Sequence, residues 1–359
     1  MTQPLPARQP RAPALRNDSR QGTALVIRTT DARGEREVSC ASVRSGDRSL
    51  PGVADPAPQM RFSIIVTSHN QREFIRDAVD SALSVRNAET EVIVIDDASS
   101  DGSQEILWGY GDAIRFASLE ANRGASAARN HGASMASGDY LVFLDGDDAL
   151  QPWALEIYER MIQTRKPKLI LASIHWLRGE VPSPQLCGRP SEIQFVDYED
   201  YLRRDRAFAC SASAIVVDRH SFLSAGGWSP EFHLMTDQDL LMKLSESGRT
   251  VQILWPHTCH YRIHAANSAN RVPRYVQQVH KLIDKEHSEA YPGGRRRRFD
   301  RHVVLGREVF HWVRGAIRAR LYRDAFELAK VGWPMCLAAL LRRLDVMLTG
   351  RVRLETIAI

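Results

Sequence analysis

The sequence predicts an α/β fold, in which helices flank an open and mostly parallel β-sheet. Continuous apolar runs rich in β-branched residues, typical of strands buried on both faces, alternate with segments of helical periodicity. Several acidic residues directly follow such runs, at the strand ends where open parallel sheets bind ligands. The chain has 359 residues, 43% of them hydrophobic and 25% charged, which is the composition of an ordinary globular protein.

The elements of the first half alternate regularly. They are predicted in the order strand 62–67, helix 71–86, strand 91–95, helix 103–110, strand 114–118, helix 124–136 and strand 140–144. The first helix has apolar residues at three- and four-residue spacing, and the third consists mainly of small residues. Strands joined by helices in this way favour one open, mostly parallel sheet.

The second half is less regular up to about residue 260 and helical after about residue 270. We predict helices at 152–164, 197–204 and 237–247, and strands at 168–173, 213–217 and 250–254. A single apolar stripe is predicted to run along the C-terminal helices, with arginines off it. Its members are Val303, Phe310, Val313, Ile317, Leu321 and Leu328.

Charge and proline are concentrated at the ends of the chain. Residues 1–60 contain seven of the 17 prolines and nine arginines, so we expect a disordered extension. Their net charge is +3 and that of residues 295–359 is +9, whereas residues 61–294 carry −7, within a total of +5. Because the folded centre is acidic, we expect no nucleic-acid partner. The basic end favours an anionic membrane surface or a docking partner.

The location expected from the sequence is the cytoplasm. Five scattered cysteines without a Cys-x-x-Cys pair are typical of reduced thiols, and no secretory signal is expected. The longest apolar stretch near the end covers eleven residues, 331–341, whereas a membrane-spanning helix needs about 20. Contact with a membrane would therefore be peripheral, at the inner face of the cell membrane.

Acidic residues cluster after two of the apolar strands. Asp145, Asp147 and Asp148 fall within four residues, and Asp96 and Asp97 follow another strand. Such close carboxylates repel one another unless a cation neutralises them. Oxygen ligands at a strand end suit Mg²⁺ or Mn²⁺ shared with substrate phosphates. A solvated acidic turn is the alternative, but two strand ends that converge on one edge favour the metal site.

Eight segments in order resemble family 2 glycosyltransferases with the GT-A fold. They are residues 62–70, 94–103, 122–124, 128–132, 145–148, 226–228, 236–240 and 261–267. Each segment alone is a weak signal, whereas the ordered series is specific. The resemblance implies a GT-A catalytic domain at 61–270, between the extension at 1–60 and a helical, basic, amphipathic region at 271–359.

The resemblance also implies roles for residues at the strand ends. Thr67 and Asp97 would bind the nucleotide, with Asp97 accepting a hydrogen bond from a ring N–H of the base. Asp145, on the nucleotide side, and Asp147 would form the Asp-x-Asp pair of the family. Asp147 would be the direct ligand of a Mn²⁺ or Mg²⁺ ion that bridges the diphosphate, with His264 near that metal.

Asp237 matches the general base of the Glu-Asp motif of the family, although Thr236 stands in place of the usual Glu. It precedes an apolar-periodic segment, so it would sit at a helix N-terminus, whose dipole favours the ionised form; a plain helix cap is the alternative. Arg129 would reach a phosphate of the nucleotide or pair with an acidic side chain. Asp96 would support its turn, and Trp228 would line the acceptor pocket or belong to the core.

The expected function is transfer of a sugar from a nucleoside-diphosphate sugar to an acceptor hydroxyl on a saccharide or a lipid-linked molecule, in cell-surface polysaccharide or glycolipid synthesis. One base and no enzyme nucleophile imply a single displacement with inversion at the anomeric carbon. The first alternative is a nucleotidyltransferase that makes nucleotide sugars, but residues 68–72 lack the glycine of a triphosphate-binding loop. The second is a non-catalytic protein that binds nucleotide sugars.

Two interpretations of the basic C-terminal region remain open. Arg295 to Arg298 and the aromatic residues Phe310, Trp312 and Trp333 favour contact with an anionic bilayer. Alternatively, the helices pack by their apolar side on the catalytic domain.

Overall fold

The computed structural model describes residues 61–87, 89–182, 188–206, 208, 211–264, 272–349 and 354–359. All of these belong to the unit Pro56–Ile359. The expected disordered extension at 1–60 lies outside the described residues.

The strands follow the predicted alternation closely in the first half of the chain and less closely afterwards. They are β1 (Phe62–Ser68), β2 (Thr90–Asp96), β3 (Arg115–Ser118), β4 (Tyr140–Asp145), β5 (Ala149–Leu150), β6 (Leu169–Leu171), β7 (Ile174–Leu177), β8 (Glu192–Tyr198), β9 (Ile215–Asp218), β10 (Thr250–Trp255), β11 (Cys259–Arg262) and β12 (Glu355–Ala358).

The helices lie between these strands and fill most of the C-terminal region. They are α1 (Ile75–Val85), α2 (Ser103–Trp108), α3 (Ala125–Met135), α4 (Ala154–Arg165), α5 (Arg219–Ser224), α6 (Thr236–Lys243), α7 (Val272–His287), α8 (Arg298–Arg318) and α9 (Tyr322–Thr349).

Within the described residues, the central sheet has nine strands in the order β12-β8-β10-β6-β9-β4-β1-β2-β3. The region formed by β4, β1, β2 and β3 is parallel, as the buried apolar runs predict. Beyond it β9 pairs antiparallel with both β4 and β6, so the sheet is mixed. A smaller sheet joins β5, β11 and β7. The predicted α/β class is confirmed, with more antiparallel pairing than predicted.

The parallel register brings predicted site residues side by side. Thr67 on β1 is paired with Asp145 on β4, and Ser68 on β1 with Asp96 on β2. Neighbouring strands lie about 4.8 Å apart. The carboxyl ends of three strands therefore form one continuous edge, and the acidic residues that follow them share it.

The small residues of α3 allow this helix to lie close to the sheet. A Cβ atom at Gly132 would come within 2.4 Å of Ile65 Cγ2 and 3.3 Å of Ile95 Cγ1. Ala128 is buried in the same apolar cluster as these two isoleucines. The close packing brings Arg129, the next residue, to the ends of the strands.

Two apolar clusters cover the two faces of the sheet, since alternate residues of a strand point to opposite sides. Ile64 on β1 belongs to the cluster that includes α1 and α4. Ile65 belongs to the cluster that includes α3, α6 and the C-terminal helices α7, α8 and α9. Leu240 on α6 and Val304 on α8 are both fully buried in it. The C-terminal helices thus share one core with α6.

The predicted helix at 197–204 is wrong. The segment holds the end of strand β8 and a short 3₁₀ turn at Tyr201–Arg203. Ile193 and Phe195 on β8 are buried on either side of the partly exposed Gln194, which is the period-two pattern of a strand. The helical pattern after about residue 270 also fails to predict β12, which pairs antiparallel with β8.

The apolar stripe predicted along the C-terminal helices is only partly buried. Val303 and Leu328 are buried, but Phe310 and Ile317 are 48% and 49% exposed. Val303, Phe310 and Ile317 all lie on α8, so this helix buries only part of its apolar stripe.

Candidate active site

A cleft of about 980 Å³ lies at the carboxyl ends of the parallel strands. Six of the residues predicted to bind nucleotide or metal line it: Thr67, Asp97, Arg129, Asp145, Asp147 and His264. The structure therefore brings these residues together around one cavity, as the parallel topology predicts.

Asp97 joins the end of β2 to the loop before α3. Its Oδ1 accepts a hydrogen bond from the backbone N–H of Arg123 at 2.7 Å, and its Oδ2 accepts one from Gly124 at 2.7 Å. A carboxylate oxygen can accept a second hydrogen bond. Asp97 thus shapes the loop and retains acceptor capacity towards a ligand in the cleft that it lines.

Asp96 closes the turn after β2, as expected. Its Oδ2 accepts hydrogen bonds from the backbone N–H of Ser99 and from Gln104 Nε2, both at 2.8 Å. The same turn holds Ala98 at a φ of +57°. A residue with a Cβ is strained in this left-handed conformation, and such strain is concentrated at functional loops.

Arg129 and Asp145 form an ion pair at the centre of the site. Arg129 Nη2 lies 2.5 Å from Asp145 Oδ1, and the guanidinium group lies 4.7 Å from the centre of the Trp228 ring. Burial alone would lower the pKa of Arg129, but the charges of Asp145 and Asp237 raise it. Arg129 is therefore cationic. Its buried Nε has no hydrogen-bond partner among the described residues.

Asp147 and His264 are in direct contact in the lining of the cleft. His264 Nε2 lies 2.9 Å from Asp147 Oδ2, and the His264 ring packs on Phe74 with 4.7 Å between ring centres. Burial and the charge of Asp145 raise the pKa of Asp147, and the hydrogen bond with His264 opposes this rise. The negative charge of Asp147 is thus poorly neutralised, and a cation would relieve it.

The residues around Asp147 fit a divalent cation that is shared with a ligand. Among the described residues, no group of three or more potential metal ligands is assembled in advance. Mg²⁺ commonly takes one or two ligands from the protein and the rest from substrate phosphates and water. Asp147 and His264 would supply the protein ligands of such an ion.

The two other residues of the acidic turn are structural. Asp148 is buried and accepts hydrogen bonds from Ser213 Oγ at 2.6 Å and from the backbone N–H of Arg262 at 3.0 Å. Gly146 fits where a Cβ atom would lie 2.4 Å from Gln71 Oε1 and 2.9 Å from the carbonyl oxygen of Thr67. Only glycine therefore fits between Asp145 and Asp147.

Asp237, the predicted base, lies in the first turn of α6 and lines a smaller pocket of about 210 Å³. Arg129, Asp145 and Tyr261 line both pockets, so the two cavities adjoin. Burial raises the pKa of Asp237 to about 6; Arg129 opposes this rise and Asp145 adds to it. The structure places Asp237 at a helix N-terminus, as predicted, and a carboxyl with this pKa is still mostly ionised at neutral pH. A pKa near neutrality suits a general base.

The residues before Asp237 set its position and its pKa. Met235 adopts a φ of +58°, a strained conformation that turns the chain into α6. The hydroxyl of Thr236, in place of the usual Glu, lies 3.4 Å from Asp237 Oδ1 and lowers the pKa of that carboxyl. Thr236 thus acts on Asp237 without adding a charge.

Sequence reasoning missed three aromatic residues of the site and left one open. Tyr261 lines both pockets, and its position at the start of a family motif could have indicated it. Phe74 supports His264. Tyr275, on α7, lines the smaller pocket and stacks on Trp312 at 4.1 Å; no sequence signal ties α7 to the site. Trp228 belongs to the core, since it is fully buried.

The sequence is similar to known glycosyltransferases. The family model of glycosyl transferase family 2 matches residues 63–215. The chain is 38% identical over 104 residues to the putative teichuronic acid biosynthesis glycosyltransferase TuaG of Bacillus subtilis, which covers 28% of this chain and 40% of that protein. It is 36% identical over 156 residues to the poly-beta-1,6-N-acetyl-D-glucosamine synthase of Staphylococcus epidermidis, covering 43% and 37%. The chain thus spans less than two thirds of the length of these relatives.

The fold is similar to that of solved structures. TarS 1–349 of S. aureus in complex with UDP-GlcNAc superposes with a TM-score of 0.56 at 18% identity, over 70% of this chain and 72% of that one. TarS 1–349 alone gives a TM-score of 0.57, over 78% and 79%. At this identity the likeness shows that the fold is shared.

Proposed function

We propose that the protein is an inverting, metal-dependent glycosyltransferase that uses a nucleoside-diphosphate sugar, because the model of glycosyl transferase family 2 matches residues 63–215. One observation carries this proposal. Asp147, the candidate metal ligand, and Asp237, the candidate base, line two adjoining pockets that share the Arg129–Asp145 ion pair. A donor in one pocket and an acceptor in the other would meet at this pair.

The donor would occupy the larger pocket. Thr67 and Asp97 would hold the nucleoside, and the unpartnered Nε of Arg129 would donate to a phosphate oxygen. Asp147 and His264 would hold Mn²⁺ or Mg²⁺, which neutralises charge on the leaving diphosphate when bound. TarS has been crystallised with UDP and with UDP-GlcNAc, so a uridine diphosphate sugar is the first donor to test.

Asp237 would activate the acceptor in the smaller pocket. As the acceptor oxygen bonds to the anomeric carbon, Asp237 takes the hydroxyl proton, and the bond to the diphosphate breaks with its electron pair on the phosphate oxygen. A positioned base contributes about 10²–10⁴ in rate. A single displacement from the face opposite the leaving group inverts the anomeric carbon.

The acceptor would be a saccharide or a lipid-linked saccharide. Relatives named for teichuronic acid biosynthesis and for poly-N-acetylglucosamine synthesis support a role in cell-surface polysaccharide synthesis. The aromatic rings of Tyr261 and Tyr275, which line the smaller pocket, offer faces on which a sugar ring stacks. The reaction would take place on the cytoplasmic side, with the protein peripheral at the inner face of the membrane.

The proposal is tested by release of nucleoside diphosphate from a panel of nucleotide sugars in the presence of Mn²⁺. We expect Asp147→Ala and Asp237→Ala to lose at least about 100-fold in turnover. Asp112→Ala, at an exposed carboxylate outside both pockets, should keep it. Full turnover in both site variants would refute the assignment. Release of pyrophosphate from a nucleoside triphosphate and a sugar phosphate would instead identify a nucleotidyltransferase, and donor binding without turnover a non-catalytic protein.

A further inference from the structure

Exposed apolar side chains are concentrated on the C-terminal helices. Of the 17 large apolar residues that are exposed in the described regions of the chain, 12 lie between Phe299 and Leu348. Soluble monomers rarely expose large contiguous apolar patches, and such patches mark interaction surfaces.

Most of these residues form one face of α9. At about 100° per residue, nine of them fall within an arc of about 120°. They are Tyr322, Phe326, Trp333, Leu337, Leu340, Leu341, Leu344, Met347 and Leu348, which we call the exposed face of α9. On the far side of the helix, Leu328 and Met335 are buried in the core that α9 shares with α8. The helix thus has two apolar faces, and the fold covers one of them.

Basic residues border the exposed face of α9 on both sides. By the same helical geometry, the exposed Arg323 and Lys330 lie along one edge and the exposed Arg343 along the other. The exposed acids Glu327 and Asp345 lie further round, beyond the first edge. The surrounding segment, residues 295–359, carries a net charge of +9.

We propose that the exposed face of α9 docks the protein on an anionic lipid surface, with the helix lying in the plane of the membrane. None of the described helices is both long enough and apolar enough to cross a bilayer. An apolar stripe between basic edges is the pattern of an interfacial helix. Tyr322, Phe326 and Trp333 are aromatic and 62–65% exposed, and aromatic rings favour the headgroup level.

Charge favours an anionic lipid surface over two other possible partners of this face, which are a second copy of the chain and residues 1–60. A second copy would bring an equally basic face, so like charges would meet around the apolar contact. Residues 1–60 carry +3 and contain no aromatic residue, so they offer the face neither an opposite charge nor aromatic side chains. Anionic lipid headgroups complement the arginines, and each basic residue near the surface strengthens the attraction.

The test is flotation of the full chain with vesicles of phosphatidylcholine alone or mixed with phosphatidylglycerol. We expect binding to the mixed vesicles that weakens as salt rises. Trp333→Glu combined with Leu337→Glu should lower the bound fraction at least about tenfold. Trp108→Glu, a matched control at a 60% exposed tryptophan on α2, should bind like the original protein. Lys330→Glu with Arg343→Glu should weaken binding to the mixed vesicles.

Three results would overturn the proposal: no binding to the mixed vesicles, unchanged binding of the Trp333/Leu337 variant, or conversion of a dimer to a monomer by that variant without an effect on vesicles. Donor hydrolysis in solution separates this proposal from the proposed function. It should be the same in all these variants, since α9 lines neither pocket of the site. Failure of docking with intact hydrolysis would leave the transferase assignment standing.

Discussion

The Asp237 carboxyl group lies near one positive and one negative neighbour, Arg129 and Asp145. Its burial favours the neutral form, and the guanidinium of Arg129 favours the ionised form. The result, a pKa of about 6, leaves most of the group ionised at neutral pH and still able to accept a proton. The Arg129–Asp145 ion pair, which lines both pockets, therefore also affects the pKa of Asp237.

The pH dependence of turnover follows from this pKa. We expect kcat/KM to fall about tenfold per pH unit at pH values below the Asp237 pKa, because only the ionised carboxylate accepts the acceptor proton. The pKa that sets this limb is about 6. A pH profile measured with saturating Mn²⁺ checks the expectation. A profile that stays flat through this region would exclude Asp237 as the titrating base.

Two variants test the cause of the shift. Arg129→Met removes the positive neighbour and should move the acid limb to higher pH, because the ionised form of Asp237 loses its stabilisation. Thr236→Val removes only a hydrogen bond of 3.4 Å and should move the limb in the same direction by less. Movement of either limb to lower pH would contradict this account.

Gly146 gives a prediction about steric crowding. In Gly146→Ala the new methyl group would meet Gln71 Oε1 and the Thr67 carbonyl. We expect a loss of about 1–3 kcal/mol in unfolding free energy, together with reduced turnover, because Asp147 would shift. Urea unfolding and donor hydrolysis measure the two effects. Gly188→Ala, where the methyl group meets nothing within 4 Å, is the control; equal losses in both would show that crowding is not the cause.

At the scale of elements, the helix that carries the base is tied to the C-terminal helices. Asp239 on α6 is fully buried and accepts hydrogen bonds from Lys285 Nζ at 2.7 Å and Tyr291 Oη at 2.8 Å. Gln238 on α6 bonds Glu308 on α8. The first turn of α6, and with it Asp237, is therefore positioned by residues far along the chain.

Removal of one partner tests this anchoring. Lys285→Met leaves the Asp239 carboxylate buried with a lost counter-charge, and a broken buried pair costs about 3–5 kcal/mol. We expect lower stability in urea unfolding and a lower kcat at unchanged metal affinity. The double variant Lys285→Met with Asp239→Leu should recover some of the stability, since both charges of this pair are removed. Additive losses would mean that the two residues do not interact.

The elements that could be predicted are those specified by local sequence. Strands β1, β2 and β4 are continuous apolar runs, and the acidic ends of β2 and β4 mark the cleft, so the positions of Asp97, Asp145 and Asp147 follow from topology. Strand β12 is short and half-exposed, so its pairing with β8 explains it, and β8 itself is held between β12 and β10. Tyr275 reaches the site from α7 through tertiary packing, which no local pattern encodes.

At the scale of the whole molecule, the end of the described chain closes one edge of the central sheet. β12 pairs with β8, and Glu355 on β12 forms an ion pair with Arg165 on α4. Without β12, the backbone groups of β8 on that side would be unpaired. Open strand edges promote association between chains.

Deletion of residues 350–359 tests this role. We expect the shortened protein to aggregate on heating at lower temperature and to scatter more light, because β8 becomes an open edge. Thr356→Ala, at an exposed position of β12, keeps the strand and should behave like the original protein. A shortened protein that stays monodisperse would show that β12 is not needed to protect the edge of β8.

The contact between Asp239 and Lys285 has a consequence during synthesis. A chain is made from its N-terminus, and folding begins before it is complete. A ribosome that has just added His264 has supplied every predicted donor-binding residue, whereas Lys285 and Tyr291, which hold Asp239, are still untranslated. The helix that carries the candidate base is therefore secured only when the last quarter of the chain has been made.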